Sequence, residues 1–248
     1  MSAVRASSAQ MSPSIFTAKQ ARAELASHAT TKLANAKARF FQTGKGQYGE
    51  GDVFVGVTVP DTRRVMAQCT HMADKEILSL LRSKVHEERL LALLIWVRQF
   101  ERADDDRRAE IHTLYLGEMR WVNNWDLVDS SAPSIVGLYL LGRDKRMLRT
   151  MARSEWLWER RIAVVATLAF IRARELKETF ALCKILLNDK ADLMHKACGW
   201  MLREAGKKDI DELRAFLFAH APKMPRTMLR YTIEHMSKDE QKMWRERQ

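Results

Sequence analysis

Apolar residues recur every three or four positions along most of this chain, which is the spacing of one face of an α-helix. The first such stretch covers residues 16–41, and a glycine-containing loop follows it up to Pro60. Beyond the loop the same pattern predicts a series of helices over residues 62–69, 75–81, 86–101, 107–119, 126–139, 145–153, 159–172, 176–187, 192–205, 209–219 and 225–236. Little of the chain is left for strands, so the sequence predicts an all-α protein.

Several of these helices resemble one another and form a loose repeat. Segments with a polar start, an apolar stripe and an internal arginine begin about every 33 to 37 residues, near Glu88, Trp125, Arg161, Lys196 and Arg230. A helix-pair period of this length is typical of solenoids, in which one helix of each pair lines a concave face. We therefore expect Trp125, Arg161 and Trp200 to lie at similar heights on successive inner helices.

Composition narrows the class of protein. Of the 248 residues 46% are hydrophobic, and only 5 are Pro and 10 are Gly, which excludes a disordered or collagen-like chain. The three cysteines are far apart and form no CxxC, so neither a disulfide framework nor a zinc site is expected. No apolar run is long enough to cross a membrane. The serine-rich residues 1–14 lack the apolar core of a secretory signal, and we expect a disordered tail there, with organelle targeting left open.

Charge favours a polyanionic partner. The formal net charge is +11, with a sequence pI of about 9.8. Between Arg143 and Arg174 there are nine basic and three acidic residues. Such a surplus is usually a solvated face, but on a concave surface it is the electrostatic signature of a protein that binds a nucleic-acid backbone.

The segment WVNNWDLVDSSAP at residues 121–133 carries the candidate chemistry. If it is helical, Trp125 and Asp129 lie one turn apart on one face, while Leu127 and Val128 point to a core. Taken alone, the segment favours a structural interpretation, because an aspartate near a helix start usually caps the helix or lies in solvent and a tryptophan in a helical protein usually belongs to the core.

A literal GxGxxG at Gly44, Gly46 and Gly49 invites a dinucleotide-binding interpretation. That motif has meaning only between a strand and a helix, and here it follows a predicted helix, so we reject it. Lys45, Tyr48 and the helix start that contains Arg63 remain candidates for contacts with backbone phosphates.

Five sequence blocks, in order, resemble the DNA alkylation repair glycosylases of the AlkD type, which are HEAT-like helical solenoids. The blocks are TGKGQYGEGDVFVGVTVPDTRR, HEERLLALLIWVRQFE, NNWDLVDSSAP, WERRIAVVATLAF and HKACGWMLREAG, and the resemblance extends over about residues 20–235. It implies a single HEAT-like domain over residues 15–248, with antiparallel helix pairs around a concave basic cleft.

The resemblance also implies roles for individual residues. Asp129 matches the catalytic carboxylate of the family, and Trp125 and Trp200 match its two cleft tryptophans. Matches to DNA contacts, some of them looser, are Arg161, Arg203, Tyr48 and Arg63, to which the charge pattern adds Arg160 and Lys45.

The implied reaction is hydrolysis of the N-glycosidic bond of cationic N3- or N7-alkylated purines in double-stranded DNA. A carboxylate near the sugar would stabilise the developing positive charge and position water, and indole faces would bind the cation. No cofactor, metal or membrane is implied, and a cytoplasmic monomer with access to chromosomal DNA is expected. The alternatives are a non-catalytic helical-repeat module that binds RNA or acidic proteins, and a binder of DNA lesions or structures that does not cut the glycosidic bond.

Overall fold

The structure, a computed structural model, describes residues 16–247, so the predicted tail at residues 1–14 lies outside the described residues. The described part of the chain is helical and contains no strand, which confirms the all-α prediction. The helices in chain order are α1 (Ala18–Ser27), α2 (Thr31–Phe40), α3 (Val59–Gln68), α4 (Asp74–Leu81), α5 (His86–Arg102), α6 (Asp105–Gly117), α7 (Trp125–Ala132), α8 (Leu138–Leu140), α9 (Arg146–Met151), α10 (Leu157–Arg172), α11 (Lys177–Ile185), α12 (Asp192–Gly206), α13 (Ile210–His220), α14 (Arg226–Thr232) and α15 (Lys238–Glu246).

Most predicted helices are present, two of them differ in a way that local chemistry explains, and one further helix is not predicted. The helix predicted over residues 16–41 is divided into α1 and α2, because the Thr30 side chain caps the start of α2. The backbone N–H of Thr30 donates to the Gly56 carbonyl at 3.0 Å. The helix predicted over residues 126–139 is interrupted by a π turn at Pro133–Gly137. Helix α15 is absent from the predicted series, although Ser237 followed by Glu240 is a capping signal, and the Ser237 side chain accepts the Glu240 N–H.

The described residues pack into two compact units. One comprises residues 16–41 and 52–95, and the other comprises residues 42–51 and 96–247. Helix α5 contributes to both units. The prediction of a single domain over residues 15–248 and that of a concave basic cleft both stay predictions.

A buried carboxylate organises the first unit. Glu87 on α5 is fully buried, and its oxygens accept the backbone N–H groups of Val55, Gly56 and Val57 at 3.1–3.3 Å. The Lys37 ammonium lies 3.2 Å from the same carboxylate. Gly56 has φ +85°, and a Cβ there would lie 2.1 Å from the Thr30 carbonyl oxygen. The valine-rich segment after the glycine loop is therefore held as extended chain against α2 and α5.

The glycine loop at residues 42–51 stabilises itself. Gly44 donates its N–H to the Gln47 side chain at 2.9 Å, and Gly46 donates to the Glu50 carboxylate at 2.7 Å. These N–H groups are the ones that a phosphate-binding loop would offer to its ligand. The loop follows α2, and side chains of the loop accept the N–H groups of two of its glycines.

The second unit is built in two layers. Helices α7, α10, α12 and α14 lie side by side in that order, and α6, α9, α11 and α13 pack behind them. The starts of the four front helices are 32 to 35 residues apart, close to the predicted repeat of about 33 to 37 residues. Helix α10 is the centre of this unit, and it is buried from Arg161 through Ile171 except for Leu168.

Helices α12 and α14 approach each other closely at a glycine. A Cβ on Gly199 would lie 2.5 Å from the Tyr231 Cβ and 2.7 Å from the Met228 carbonyl oxygen. Gly199 is followed directly by Trp200, which is half-buried. The position of Trp200 thus depends on a close approach between two backbones.

Candidate functional site

Helix α7 presents Trp125 and Asp129 as the spacing predicts. The Asn124 side chain caps the helix and accepts the Trp125 N–H at 2.8 Å. Leu127 and Val128 are fully buried, whereas Trp125 and Asp129 are half-buried. The helix therefore leaves one indole and one carboxylate partly exposed on the same face.

A π turn follows Asp129 for a chemical reason. Pro133 stands four residues after Asp129 and has no N–H to donate to the Asp129 carbonyl. The chain widens there, and the Leu138 N–H bonds the Pro133 carbonyl five residues back. Turns of this kind are frequent beside functional sites.

Asp129 forms a two-pronged ion pair with Arg161 on α10. The Arg161 Nε lies 2.9 Å from Asp129 Oδ1, and Nη2 lies 2.8 Å from Oδ2. The third nitrogen, Nη1, donates to the Leu193 carbonyl on α12 at 2.6 Å. The Arg161 side chain is 5% exposed and that of Asp129 is 19% exposed. One arginine thus connects three helices, and it fixes both oxygens of the carboxylate.

The pair forms because α7 and its π turn lie directly against α10. A Cβ on Gly137 would lie 2.2 Å from the Ala166 carbonyl oxygen and 2.8 Å from the Ala169 Cβ. Only glycine allows this approach. The distance between Asp129 and Arg161 is consequently set by packing at a residue that does not touch either of them.

Burial and charge act in opposite directions on Asp129. Loss of solvent raises the pKa of the Asp129 carboxyl above its ordinary value, and the nearby Asp126 charge adds to the effect. The charge and the hydrogen bonds of Arg161 oppose this rise. Because both carboxylate oxygens accept N–H groups from Arg161, the geometry is that of the ionised form.

Tyr48 from the glycine loop packs beside Trp125. A side-chain hydrogen bond joins the Tyr48 hydroxyl to Trp125. The phenol ring stands edge to face with Trp158, with 6.1 Å between the ring centroids. Burial raises the pKa of the Tyr48 phenol, and Lys196, Asp126 and Arg161 all act on it electrostatically. We call Tyr48, Trp125, Asp129 and Arg161 the Asp129 site.

Lys196, Asp126 and Trp158 are absent from the set that the sequence predicts. Lys196 stands one turn before Trp200 on α12, at the i, i+4 spacing, and that spacing is the signal that could have found it. Asp126 stands directly after Trp125. Nothing in the sequence points to Trp158 as the ring partner of Tyr48.

Trp125, Arg161 and Trp200 stand at different positions within their helices, and their common height stays a prediction. They are the first residue of α7, the fifth of α10 and the ninth of α12, so each lies about one turn, or ~6 Å, further into its helix. The repeat of the helix starts is shorter than the spacing of these three residues. Asp129 is the fifth residue of α7, which explains why it pairs with Arg161.

The remaining predicted DNA contacts lie in separate places. Arg160 points away from Asp129 and pairs with Asp189 at 2.6 Å. Arg203 pairs with Glu204 and Glu234 and lines a cavity of about 310 Å³ between α12 and the turn before α15. Lys45 is exposed on the glycine loop, and Arg63 is exposed on α3 in the first unit. As DNA contacts, all four stay predictions.

The basic cluster at residues 143–174 carries less free charge than its composition suggests. Six of its nine basic residues have a carboxylate within 4 Å, and these are Arg143, Lys145, Arg146, Arg149, Arg160 and Arg161. Most of the basic side chains of this segment are therefore ion-paired, and their role in binding a nucleic-acid backbone stays a prediction. Arg153, Arg172 and Arg174 are the other three, and all are exposed.

Residues 16–247 offer neither a metal site nor a membrane span. Within this range no three His, Cys, Asp or Glu side chains are grouped so that they could hold a metal ion. None of the helices described is both long and apolar enough to cross a bilayer.

Known proteins resemble this chain in sequence pattern and in fold. The family model described as "DNA alkylation repair enzyme" matches residues 21–236. A solved structure described as a predicted DNA alkylation repair enzyme from Enterococcus faecalis is similar, with a TM-score of 0.64 at 15% identity over 85% of this chain and 98% of that one. No curated protein gives a significant match. The family match spans the Asp129 site and most of both units, and the chain therefore belongs to the DNA alkylation repair enzyme family.

Proposed function

We propose that this protein is a monofunctional DNA glycosylase that hydrolyses the N-glycosidic bond of cationic N3- or N7-alkylated purines in double-stranded DNA. One observation carries the proposal. Asp129 is held by two hydrogen bonds from Arg161 on the same helix face as the half-buried indole of Trp125. Membership in a DNA alkylation repair family supports a role in DNA repair.

The proposed chemistry needs no proton donor for the leaving group. A purine alkylated at N7 or N3 is already cationic, so when its bond to C1′ breaks, the bonding pair leaves with the base, which departs neutral. Positive charge then develops on the sugar, and water adds to C1′ with loss of a proton. A fixed carboxylate stabilises that charge because its orientation costs nothing at the moment of reaction. Asp129 supplies the carboxylate.

The phosphate contact expected of Arg161 does not fit its surroundings. All three of its nitrogens are used by Asp129 and Leu193, and its side chain is 5% exposed. We assign Arg161 instead as the residue that orients Asp129. The arginine also neutralises part of the carboxylate charge, which lowers the cost of burying that charge.

Aromatic rings supply the binding surface for the cation. Trp125 is held by the Tyr48 hydroxyl, and Trp158 supports the Tyr48 ring. Each indole face contributes ~0.5 to 2 kcal/mol to binding a cation when it is partly desolvated. Trp200 lies on the same face of α12 as Lys196 and completes the proposed set.

The wider proposals follow from this role. Arg203, Arg160, Lys45 and Arg63 are proposed contacts with the DNA backbone, and no cofactor is assigned. We propose that the protein acts as a monomer in the cytoplasm with access to chromosomal DNA.

The test is base release from a duplex that carries a single 7-methylguanine, with protein in excess so that a single turnover is measured. Wild type is expected to release the free base and to leave an abasic strand that breaks only after alkali. Asp129→Asn is expected to lose about 100-fold or more in rate, because it removes the charge and keeps the shape. Undamaged-duplex binding by the variant should stay near wild type.

The matched control is Asp189→Asn. Asp189 also pairs with an arginine in the same unit, at 2.6 Å from Arg160, but it lies outside the Asp129 site. This variant should keep the excision rate. Equal rates for wild type and Asp129→Asn would contradict the assignment of Asp129.

One observation favours a second candidate function. Because Asp129 is ion-paired with Arg161, the site also suits a protein that binds damaged or distorted DNA without cutting the glycosidic bond. Salt-sensitive binding of duplex DNA by wild type, without base release, would establish this alternative.

A further inference from the structure

A second groove lies next to the Asp129 site. It has a volume of about 410 Å³ and is formed where the loop between α9 and α10 faces the loop between α11 and α12. We call it the Arg153 groove. Its lining residues are Ala152, Arg153, Ser154, Arg160, Ile185, Leu186, Asn188, Asp189 and Lys190.

The Asp189 carboxylate and two backbone carbonyls at this groove already accept hydrogen bonds from the protein itself. Arg160 Nε lies 2.6 Å from Asp189 Oδ2, and its Nη1 donates to the carbonyls of Ser154 and Glu155 at 2.9 and 2.8 Å. Asp189 also accepts the Ala191 N–H at 2.9 Å. The one carboxylate that lines the groove is thus compensated, and two of the nearby carbonyls face an arginine. An anion entering the groove meets less repulsion than the sequence suggests.

Unlike Arg160, which is half-buried in the groove wall, the two other cationic side chains of the groove face solvent. Arg153 and Lys190 are both exposed, one on each loop, and Asn188 adds an exposed amide. Arg153 is anchored because its Nη1 donates to the Arg149 carbonyl at the end of α9, at 2.7 Å. Two cations and an amide on opposite walls suit one anionic group between them.

The groove adjoins the Asp129 site through neighbouring residues. Arg160 forms part of the groove, and Arg161, the next residue of α10, holds Asp129. Consecutive residues of a helix point about 100° apart, so the two sites lie on adjacent faces of the same helical turn. Each strand of duplex DNA carries one phosphate per ~3.4 Å of helix axis. A strand at the Asp129 site therefore has phosphates within reach of the groove.

We propose that the Arg153 groove binds a backbone phosphate of the DNA strand that lies at the Asp129 site, through Arg153 and Lys190. This inference rests on the proposed function. It adds a phosphate site at which Arg153 and Lys190 contact the DNA beside Arg160.

The test compares two double variants that remove the same charges. Arg153→Ala with Lys190→Ala removes one arginine and one lysine from the groove. The control, Arg172→Ala with Lys177→Ala, removes one of each where α10 ends and α11 begins, and all four residues are exposed. Helix α10 has 16 residues, so the control lies about 20 Å from the groove. Binding to an undamaged duplex is measured by fluorescence anisotropy between 50 and 200 mM salt.

The groove variant is expected to bind more weakly, with a salt slope smaller by about 1 for each phosphate that it no longer neutralises. The control variant should keep the wild-type slope. Arg153→Lys with Lys190→Arg keeps both charges and should restore most of the slope. Equal slopes for the groove variant and wild type, or equal reductions in the groove and control variants, would overturn the proposal.

Excision by wild type separates this inference from the proposed function, because release of 7-methylguanine by wild type reports the chemistry and the salt slope of the groove variant reports phosphate binding. If wild type excises base and the groove variant keeps its salt slope, the groove proposal fails and the glycosylase stands. If wild type binds DNA without excision and the groove variant has a smaller slope, the groove stands and the glycosylase fails. If wild type does not bind duplex DNA, both fail.

Discussion

Arg160 and Arg161 are consecutive residues of α10, yet they bind carboxylates that belong to different segments of the chain. Arg161 binds Asp129 on α7, and Arg160 binds Asp189 in the loop before α12. The shortest nitrogen–oxygen distances in the two pairs are 2.8 Å for Arg161 and 2.6 Å for Arg160. One arginine orients the proposed catalytic carboxylate, and the other holds a loop.

Replacement of Arg161 should change the pH dependence of excision. The positive charge of Arg161 opposes the rise in the pKa of Asp129, so Arg161→Gln should raise that pKa further. Protonation removes the carboxylate charge, and activity should therefore be lost at higher pH in the variant than in wild type as the pH falls. The measurement is the single-turnover rate between pH 4 and 8. An acid limb that stays in place would show that Arg161 does not control Asp129.

The same variant should be less stable, because removing one partner of a buried ion pair costs about 3 kcal/mol or more. Arg160→Gln is the control, since it breaks the neighbouring pair without touching Asp129. It should lower the free energy of unfolding and leave the acid limb unchanged.

Tyr48→Phe tests the wall beside Trp125. The variant keeps the edge-to-face packing on Trp158 and removes the hydrogen bond with Trp125. Since a neutral hydrogen bond contributes about 1 kcal/mol, we expect roughly a fivefold slower excision and a stable fold. Tyr48→Ala also removes the ring and should be slower still. Equal rates for the phenylalanine and alanine variants would mean that the ring does not position Trp125.

Gly137→Ala should separate α7 from α10. The new Cβ would lie 2.2 Å from a backbone oxygen that cannot rotate away, and overpacking of this kind costs about 1 to 3 kcal/mol. Both the urea midpoint and the excision rate should fall, because the Asp129–Arg161 pair depends on this close approach. Gly117→Ala is the control, since a Cβ there meets nothing within 4 Å. Because alanine is favoured over glycine in a helix by up to about 1 kcal/mol, this variant should keep the urea midpoint and the excision rate.

His112 should make the fold sensitive to mild acid. Burial, and secondarily the charge of Arg143, lowers the pKa of His112 to about 4. An unfolded histidine takes up its proton near pH 6.5, so between these values the unfolded state binds more protons and stability falls as pH falls. The decrease from pH 7 to pH 4 is about 3 kcal/mol. His112→Phe keeps a ring to stack on Tyr139 and should flatten the pH dependence of the melting temperature. An unchanged profile would contradict the assignment.

The parts of the site that the sequence predicts are the parts set by local spacing. Trp125 and Asp129 are four residues apart on one helix, and periodicity alone places them on one face. The pairing of Asp129 with Arg161 joins residues 32 positions apart, and it depends on Gly137 and on where each helix starts. Those starts are fixed by caps such as Asn124, which a periodicity of apolar residues does not register.

Charge composition misleads for a related reason. Nine basic residues lie close together in the chain, but five of the six that are ion-paired find their carboxylates about 30 or more residues away. Arg149 pairs with Glu178, and Lys145 pairs with Glu175, about 30 residues further on. A local surplus of one sign therefore overstates the charge that is available to a ligand.

Gly199 has a consequence for mutational screens of this protein. Any side chain at this position would collide with α14, and its neighbour Trp200 is a proposed site residue. A screen that scores only survival after alkylation damage would report both positions as essential, and the Gly199–Trp200 dipeptide would look like a single motif. A parallel measurement of protein abundance should distinguish the two positions. Substitutions of Gly199 should lower the amount of folded protein, whereas Trp200→Phe should lower the activity per folded molecule.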